Sequence, residues 1–553
     1  MRNHKLLLAS LPLLLLAACE LNHHNDPDAG LSTFNADDIK GYIKVLASDS
    51  FQGRKPFTIG ETRTVDYLQT QFKAIGLEPG NDTSYLQDVP MINIWSKPAP
   101  VMHIQSAKGN FDLKGFDEYV FATPKTDSLI TLDKNQLVFA GYGVVAPEYN
   151  WNDYAGLDVK GKIVMVLVND PGFNNHDTTL FKGKEMTYYG RWTYKFEEAA
   201  RQGAKGCLVI HTTEAASYPF SVLQNGWNTS ALRLDNGGND GALLDAQGWI
   251  TMDACKKVLL AAGQDTGIIA KADIRGFKGV DLNAYASTTI RTEVTRNKSH
   301  NVIGKITGSK YPNEYLVITA HWDHLGVGKP DATGDSIYNG AIDNASGTAS
   351  LLEFAKAFKS LQTPPERTVV FLAVTGEEQG LLGSQYYATH PIYPLAKTVA
   401  NLNVDEINTY GKTKDITVIG RGQNDLEDIL KEEAEKRGRY IAYDNHPQSG
   451  SYYRSDHFSL AKAGVPALAQ GFGIDVIGKD SGYGQAQQDE YDAKRYHNVQ
   501  DNYNPNWDLS GAIDDLQLLF MVAKRLTYEH IWPQWKDGSE FKAIRDKTAG
   551  ERE

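Results

Sequence analysis

Five short stretches concentrate the imidazole and carboxylate groups of this chain: AHWDHLG (320–326), GAIDNASG (340–347), TGEEQGLLGS (375–384), NLNVDEIN (401–408) and RYHNVQDNY (495–503). Within them, His321, Asp343, Glu378, Asp405 and His497 supply three carboxylates and two imidazoles. That set suits divalent metal: zinc takes histidine nitrogen and carboxylate oxygen in low coordination number and keeps one position for water. Two such ions, roughly 3.5–4 Å apart, can share a carboxylate and clamp both oxygens of a hydrolytic reaction. Glu377 adjoins a ligand and is placed to act as general base. Asp323 follows closely on His321 and can orient its ring. Each stretch alone is a weak signal, because a lone histidine at a strand end is ordinarily structural and a lone Glu pair ordinarily solvated. The joint pattern carries the reading. His324 competes with His321, which is favoured because it directly ends a strand.

Groups so far apart in sequence meet only if the elements that carry them converge. EYLVITA (314–320), RTVVFLAVT (367–375), KTVANLNVD (397–405), DITVIG (415–420) and VPALAQ (465–470) are apolar runs expected of strands buried on both faces. Helical patterns at 345–361, 424–438 and 511–526 alternate with them. The alternation predicts a mostly parallel α/β sheet flanked by helices. In open sheets of this kind ligands bind beyond the carboxyl ends of the strands. His321, Glu377, Glu378 and Asp405 all fall at that end.

Upstream, two helical patterns open the globular part, and Gly76 stops the second. VFAGYGVV and KIVMVLVND read as strands, and 192–211 as helix, Gly stop, strand. These patterns place a separate, smaller domain at 131–288, between a first part (34–130) and the alternating strand–helix part (289–530), with a charged, loosely held tail (531–553); the family resemblance given below implies that the first and third parts form one domain split around an inserted one. The aromatic stretch MTYYGRWTYKF (186–196) is expected to pack within the inserted domain; the alternative is a lid with Arg191 touching substrate.

At the start, Arg2 and Lys5 precede an apolar run too short to span a bilayer, the pattern of an export signal over 1–18. LAAC (16–19) resembles the bacterial lipoprotein cleavage box. That resemblance implies lipid attachment at Cys19, a polar tether over 19–33 and a place in the cell envelope; Glu20, in place of Asp, favours the outer membrane. The formal net charge of −12 gives no electrostatic case for nucleic-acid binding. Cys207 and Cys255 remain, and the sequence leaves their pairing open.

The five stretches together resemble the co-catalytic zinc aminopeptidases, the group that also contains glutamate carboxypeptidase II and the transferrin receptor. The resemblance extends over nearly the whole mature chain. Residues 135–211 look like a protease-associated domain, and LASDSFQGR (46–54) resembles the start of a zinc-exopeptidase fold split around it. Position by position, the resemblance implies a first zinc on His321, Asp343 and Asp405. It implies a second on Asp343, Glu378 and His497, with Asp343 bridging. Glu377 matches the general base and Asp323 the partner of His321. In SYYRSDHFSLAKAGVPAL (451–468), Tyr452 corresponds to a tyrosine that stabilises the oxyanion in some members, with Tyr453 one slip away. The expected activity is removal of N-terminal residues from peptide substrates by zinc-activated water. A carboxypeptidase or dipeptidase on the same scaffold, and a non-catalytic binding protein like the transferrin receptor, are the alternatives. The second is disfavoured because all five ligand positions are filled.

Overall fold

The computed structural model describes residues 28–552. The export signal, Cys19 and the first part of the tether lie outside the described residues. Helices α1 (Ala36–Leu46) and α2 (Ile59–Ile75) open the fold. Each has a side-chain cap: Asn35 accepts from the Asp37 amide, and Thr58 from that of Gly60. Gly76 closes α2 with a φ of 85°, a left-handed conformation that glycine adopts at no steric cost.

The strands follow as β1 (Glu78–Pro79), β2 (Leu86–Pro98), β3 (Val101–Ser106), β4 (Gly109–Lys114), β5 (Tyr119–Ala122), β6 (Leu129–Phe139) and β7 (Ile163–Leu167). After α3 (Trp192–Arg201) come β8 (Gly206–His211), β9 (Ser230–Leu234), β10 (Ala246–Thr251), β11 (Val280–Ile306) and β12 (Tyr311–His321). Then follow α4 (Gly347–Ser360), β13 (Arg367–Val374), α5 (Leu382–Thr389), β14 (Thr398–Val404), β15 (Asp415–Ile419) and α6 (Leu426–Lys436). The chain ends with β16 (Tyr440–Tyr443), α7 (His457–Lys462), β17 (Ala467–Gly471), α8 (Tyr483–Lys494), α9 (Ser510–Tyr528) and α10 (Lys542–Lys547).

The main sheet runs β1-β11-β13-β12-β14-β17-β15-β16. Four of its neighbour pairs are parallel: β12 with β13, β12 with β14, β14 with β17, and β15 with β16. The other pairs are antiparallel. Alternate side chains of β12 leave by opposite faces. Leu316 and Ile318 join a core with Leu68, Phe354 and Phe520 from α2, α4 and α9. Val317 joins another with Tyr387 of α5 and Leu460 of α7. Helices thus cover both faces, as the unbroken apolar runs require, and the architecture is the expected mostly parallel α/β sheet.

The inserted domain hangs on β11, a strand of 27 residues. Its first part pairs with β3, β6 and β2, and its last residues enter the main sheet beside β13. The 130/131 boundary expected from sequence needs correction. β3 pairs with β11 and β5 with β10, and Met102, Leu113 and Phe121 lie in the inserted domain's core. These strands are short, so their pattern did not say which core they face. The tail also needs correction, because it is docked. Trp535 and Phe541 are buried, and the Trp535 indole donates to the Gly464 carbonyl at 2.8 Å. Buried Arg545 donates to the carbonyls of Leu395 and Thr398. Two aromatic anchors outweigh the charge that made the segment look solvated. Cys207 and Cys255 are buried free thiols, and burial raises both, Cys255 to about 12. Among the described residues no helix is long and apolar enough to cross a membrane.

Candidate metal centre

Three strand ends of the main sheet deliver the acidic and imidazole groups. His321 is the last residue of β12, Asp405 follows β14, and Glu377 and Glu378 lie just beyond β13. Asp343 comes from the turn that leads into α4, where the Asp343–Asn344 peptide is cis. His497 comes from the turn after α8, at a φ of 53°.

Asp343 stands at the middle of the cluster. Its Oδ1 lies 3.3 Å from His321 Nε2, and its Oδ2 lies 3.1 Å from His497 Nε2. On one side His321 Nε2 is also 3.3 Å from Asp405 Oδ1 and 4.0 Å from Glu377 Oε2. On the other, His497 Nε2 is 3.1 Å from Glu378 Oε2. The result is two compartments that share one carboxylate. All five residues expected as ligands are brought together, with Glu377 beside the first compartment.

The turn that carries Asp343 is fixed by groups remote in sequence. The Asp501 carboxylate accepts from the amides of Ile342 and Asp343 at 3.0–3.1 Å. Asn344 Oδ1 accepts from the amides of Gly347 and Glu406, and its Nδ2 donates to the Val404 carbonyl. Buried Arg54 donates to the carbonyls of Trp322, Leu46, Asn339 and Gly340, tying β12's end to this turn. A Cβ on Gly340 would lie 2.2 Å from the Asp343 carbonyl oxygen, so only glycine fits there. Asp405 is held by Ser455, whose hydroxyl donates to Oδ2 at 2.5 Å.

Asp323 departs from its expected contact. His321 Nδ1 lies 3.2 Å from the Asp323 backbone carbonyl and 3.8 Å from its carboxylate, which instead accepts from the Glu377 amide at 3.1 Å. Asp323 therefore orients His321 through its main chain and the Glu377 turn through its side chain. Tyr452 requires a larger correction. Its buried hydroxyl has no hydrogen-bond partner among the described residues, and the charge that acts on it is that of Glu540 in the tail. The residues lining the cleft include His457 and Tyr496 but not Tyr452. The 3-10 turn over Ser451–Tyr453 directs its ring against His457 and the Gly420 backbone.

Sequence reasoning weighed His324 only as a rival of His321. It is fully buried behind Glu378, its Nδ1 2.5 Å from Glu378 Oε1 and 3.8 Å from Asp343 Oδ2. His497 reaches both carboxylates at 3.1 Å and suits the second compartment better. Asp501, Arg54 and His457 were missed. The HNVQD spacing after His497 was the one available signal for Asp501; Arg54 and His457 carried none.

The electrostatics favour cations. Burial works against charge on His321, Asp343, Glu377, Glu378 and His497, yet the carboxylates Glu377 and Asp405 raise His321 well above its ordinary value. Asp343 and Glu378 likewise raise His497 to about 10. Burial alone would raise Asp343, but hydrogen bonds from His321 and His497 and the charge of His324 hold it well below the carboxylate range. Glu377 is raised well above it by burial. A field that keeps protons on two imidazoles suits divalent ions, and nitrogen and oxygen donors in this number suit zinc. The residues present fit two such ions.

His457 behaves differently. It is fully buried against the cleft wall, and neither ring nitrogen makes a well-formed hydrogen bond among the described residues. Burial lowers it to about 4, opposed by Asp405 and the Tyr452 backbone. The unfolded chain takes up this proton near pH 6.5, the fold only near 4, so stability falls as pH drops through that window. The shift corresponds to about 3 kcal/mol. Denaturant titrations from pH 7 to 4 should show that slope, flattened in His457→Asn; an unchanged slope would remove the assignment.

A cleft of about 960 Å³ opens over the cluster. Glu406, Arg454, Ser455, His457 and Tyr496 line it near the cluster, and Asp489 and Asp492 of α8 line its outer wall.

Fold and cluster together define an α/β protein with a two-compartment cluster of carboxylates and imidazoles at its strand ends. Residues 301–521 match the model of Peptidase family M28, a stretch that contains every side chain of the cluster. The chain is similar to Carboxypeptidase Q of Xenopus laevis, 26% identical over 250 residues, covering 45% of this chain and 42% of that protein. It is similar to Aminopeptidase YwaD of Bacillus subtilis, 31% identical over 196 residues, covering 34% of this chain and 39% of that one. The matched part thus spans less than half the length of either relative. Among solved structures, an aminopeptidase from Aneurinibacillus sp. strain AM-1 aligns over 90% of this chain and 95% of its own, with 18% identity and a TM-score of 0.48.

Proposed function

We propose that this chain is an exported zinc aminopeptidase that removes N-terminal residues from peptides. The observation that carries the reading is Asp343, whose two oxygens each face a different imidazole. His321, Asp343 and Asp405 would hold one zinc, and Asp343, Glu378 and His497 the other. Bound zinc would supply Lewis acidity, polarising the scissile carbonyl and acidifying a water. Glu377 takes the proton of the attacking water and passes it to the leaving amine. Asp323 keeps the Glu377 turn in place. The neutral imidazole of His457 donates to the developing oxyanion from the cleft wall. Glu406 lines the cleft beside Asp343 and Asp405, and its carboxylate favours a substrate's free ammonium group.

Two similar proteins bear the names aminopeptidase and carboxypeptidase, which supports peptide hydrolysis and leaves the end of attack to experiment. One peptide offered free, amine-blocked and carboxyl-amidated tests it. Chelator-sensitive release of the first residue, abolished by blocking the amine, is the expected result. Release of the last residue would replace this reading with a carboxypeptidase. The N-terminal sequence supports attachment to the envelope through Cys19. Cys19→Ala should move the chain out of the membrane fraction, and retention there would contradict the anchor.

A further inference from the structure

Residues 28–35 are strapped to the outside of the main domain along α9. The Asp28 carboxylate lies 3.0 Å from Arg437 Nη2, and the Ala29 carbonyl accepts from Lys524 Nζ at 3.1 Å. The Leu31 carbonyl accepts from Gln517 Nε2 at 2.9 Å, and the Glu353 carboxylate accepts from the Asn35 amide at 3.1 Å. Gly30 is pressed onto the same helix: a Cβ there would lie 2.9 Å from Phe520 Cε1. Phe34 packs against Phe354 and Phe520, each ring 5.5 Å away. From Leu31 back to Ala29 the segment therefore moves from Gln517 to Lys524, toward the carboxyl end of α9.

That direction leads to the edge of the main sheet where its parallel strands begin. Arg367, the first residue of β13, donates to the carbonyls of Leu526 and Ile531, so the end of α9 lies beside the start of that strand. Arg437 caps the end of α6, and two residues later Arg439 donates to the carbonyl of Asp415, the first residue of β15. Two helices thus place Asp28 at the strand starts. The cluster of imidazoles and carboxylates occupies the opposite edge, and the seven residues of β14 alone put about 23 Å between the two. Nine steps of chain separate Cys19 from Asp28, at most about 32 Å when fully extended. Residues 28–552 make a body about 60 Å across, with about 95 Å of surface path from one pole to the other. A tether of that reach holds the strand-start edge near its point of attachment and does not let the cleft swing down to it.

We propose that the anchored chain meets the lipid headgroup surface with the edge where the parallel strands begin, and that its cleft opens away from the bilayer. The inference rests on attachment through Cys19 and goes beyond it by assigning the face that meets the membrane. Exposed Lys359 at the end of α4 and exposed Lys436 at the end of α6 belong to that face. Exposed Lys414 and Lys479 line the cleft and stay in water. Substrate then reaches the cluster from solution, so the class served is dissolved peptide and not chain embedded in the lipid.

The test uses the chain from Cys19 onward, coupled through that thiol to a maleimide lipid in phosphatidylcholine vesicles. Cys207 and Cys255 are buried, which leaves Cys19 as the thiol that reacts. The coupling supplies the anchor chemically, so the geometry is read separately from lipid attachment in the cell. Lysines are labelled with a membrane-impermeant, amine-reactive reagent and compared, residue by residue, with the same chain free in solution. Labelling of Lys359 and Lys436 should be lost or sharply reduced on coupling, while that of Lys414 and Lys479 should match the free chain. Protection of Lys414 and Lys479 would overturn the orientation, as would equal labelling of all four lysines in both forms. The expected pattern in the vesicles, together with a native chain that carries no lipid on Cys19, would overturn the anchor and leave the geometry standing.

Discussion

Asp343→Ala should empty both metal compartments and abolish peptide hydrolysis. The substitution removes the one carboxylate that both imidazoles face, at 3.3 and 3.1 Å. The turn itself should survive, because Asp501 grips it through the amides of Ile342 and Asp343 and not through the side chain. Loss of Lewis acidity at both positions is worth several kcal/mol of transition-state stabilisation, so activity should fall by at least about 10³-fold. His497→Ala and Glu378→Gln touch only the second compartment and should retain close to one zinc per chain. A full zinc complement in Asp343→Ala would show that the shared carboxylate is not a ligand.

Glu377→Gln carries the second large effect. Turnover should drop by roughly 10²–10⁴-fold, with zinc content and KM little changed. The amide is isosteric and keeps the main-chain bond from Glu377 to Asp323, so the turn and the ligands are undisturbed. Glu377 lines the cleft and lies 4.0 Å from His321 Nε2, close to the cluster yet farther than the carboxylates that clasp the imidazole. Only a group that handles a proton, and does not hold metal, gives this combination. Unchanged kcat, or loss of zinc, would assign Glu377 another role.

The two variants probe the part of the site that was most legible from sequence. His321, Glu377, Glu378 and Asp405 announced themselves because each follows an apolar run that could only be a buried parallel strand, and all such strands point one way. Asp343 and His497 end no strand; their residue types and the stretches that hold them put them in the set, and the resemblance assigned each to a particular ion. What was hidden has a common cause. Arg54 and Asp501 act on backbone atoms of segments far away in sequence, and a partner that is a carbonyl or an amide leaves no trace in residue type. Tyr452 was carried over by its offset from Ser455, but a single 3-10 turn decides where a ring points, and here it turns toward His457 and the tail. The tail was misjudged from its charge, although Trp535 and Phe541 were there to read. The inserted domain's edge was misplaced because β11 belongs to both units, so no break in the chain marks it.

The measurement that tests the central claim most directly is the zinc content of the purified chain taken together with its hydrolysis of a free peptide before and after chelation. The account predicts two zinc ions per chain, with hydrolysis lost on chelation and restored as both ions return. A chain that binds less than one zinc, or that cleaves the peptide equally well without it, would contradict the account.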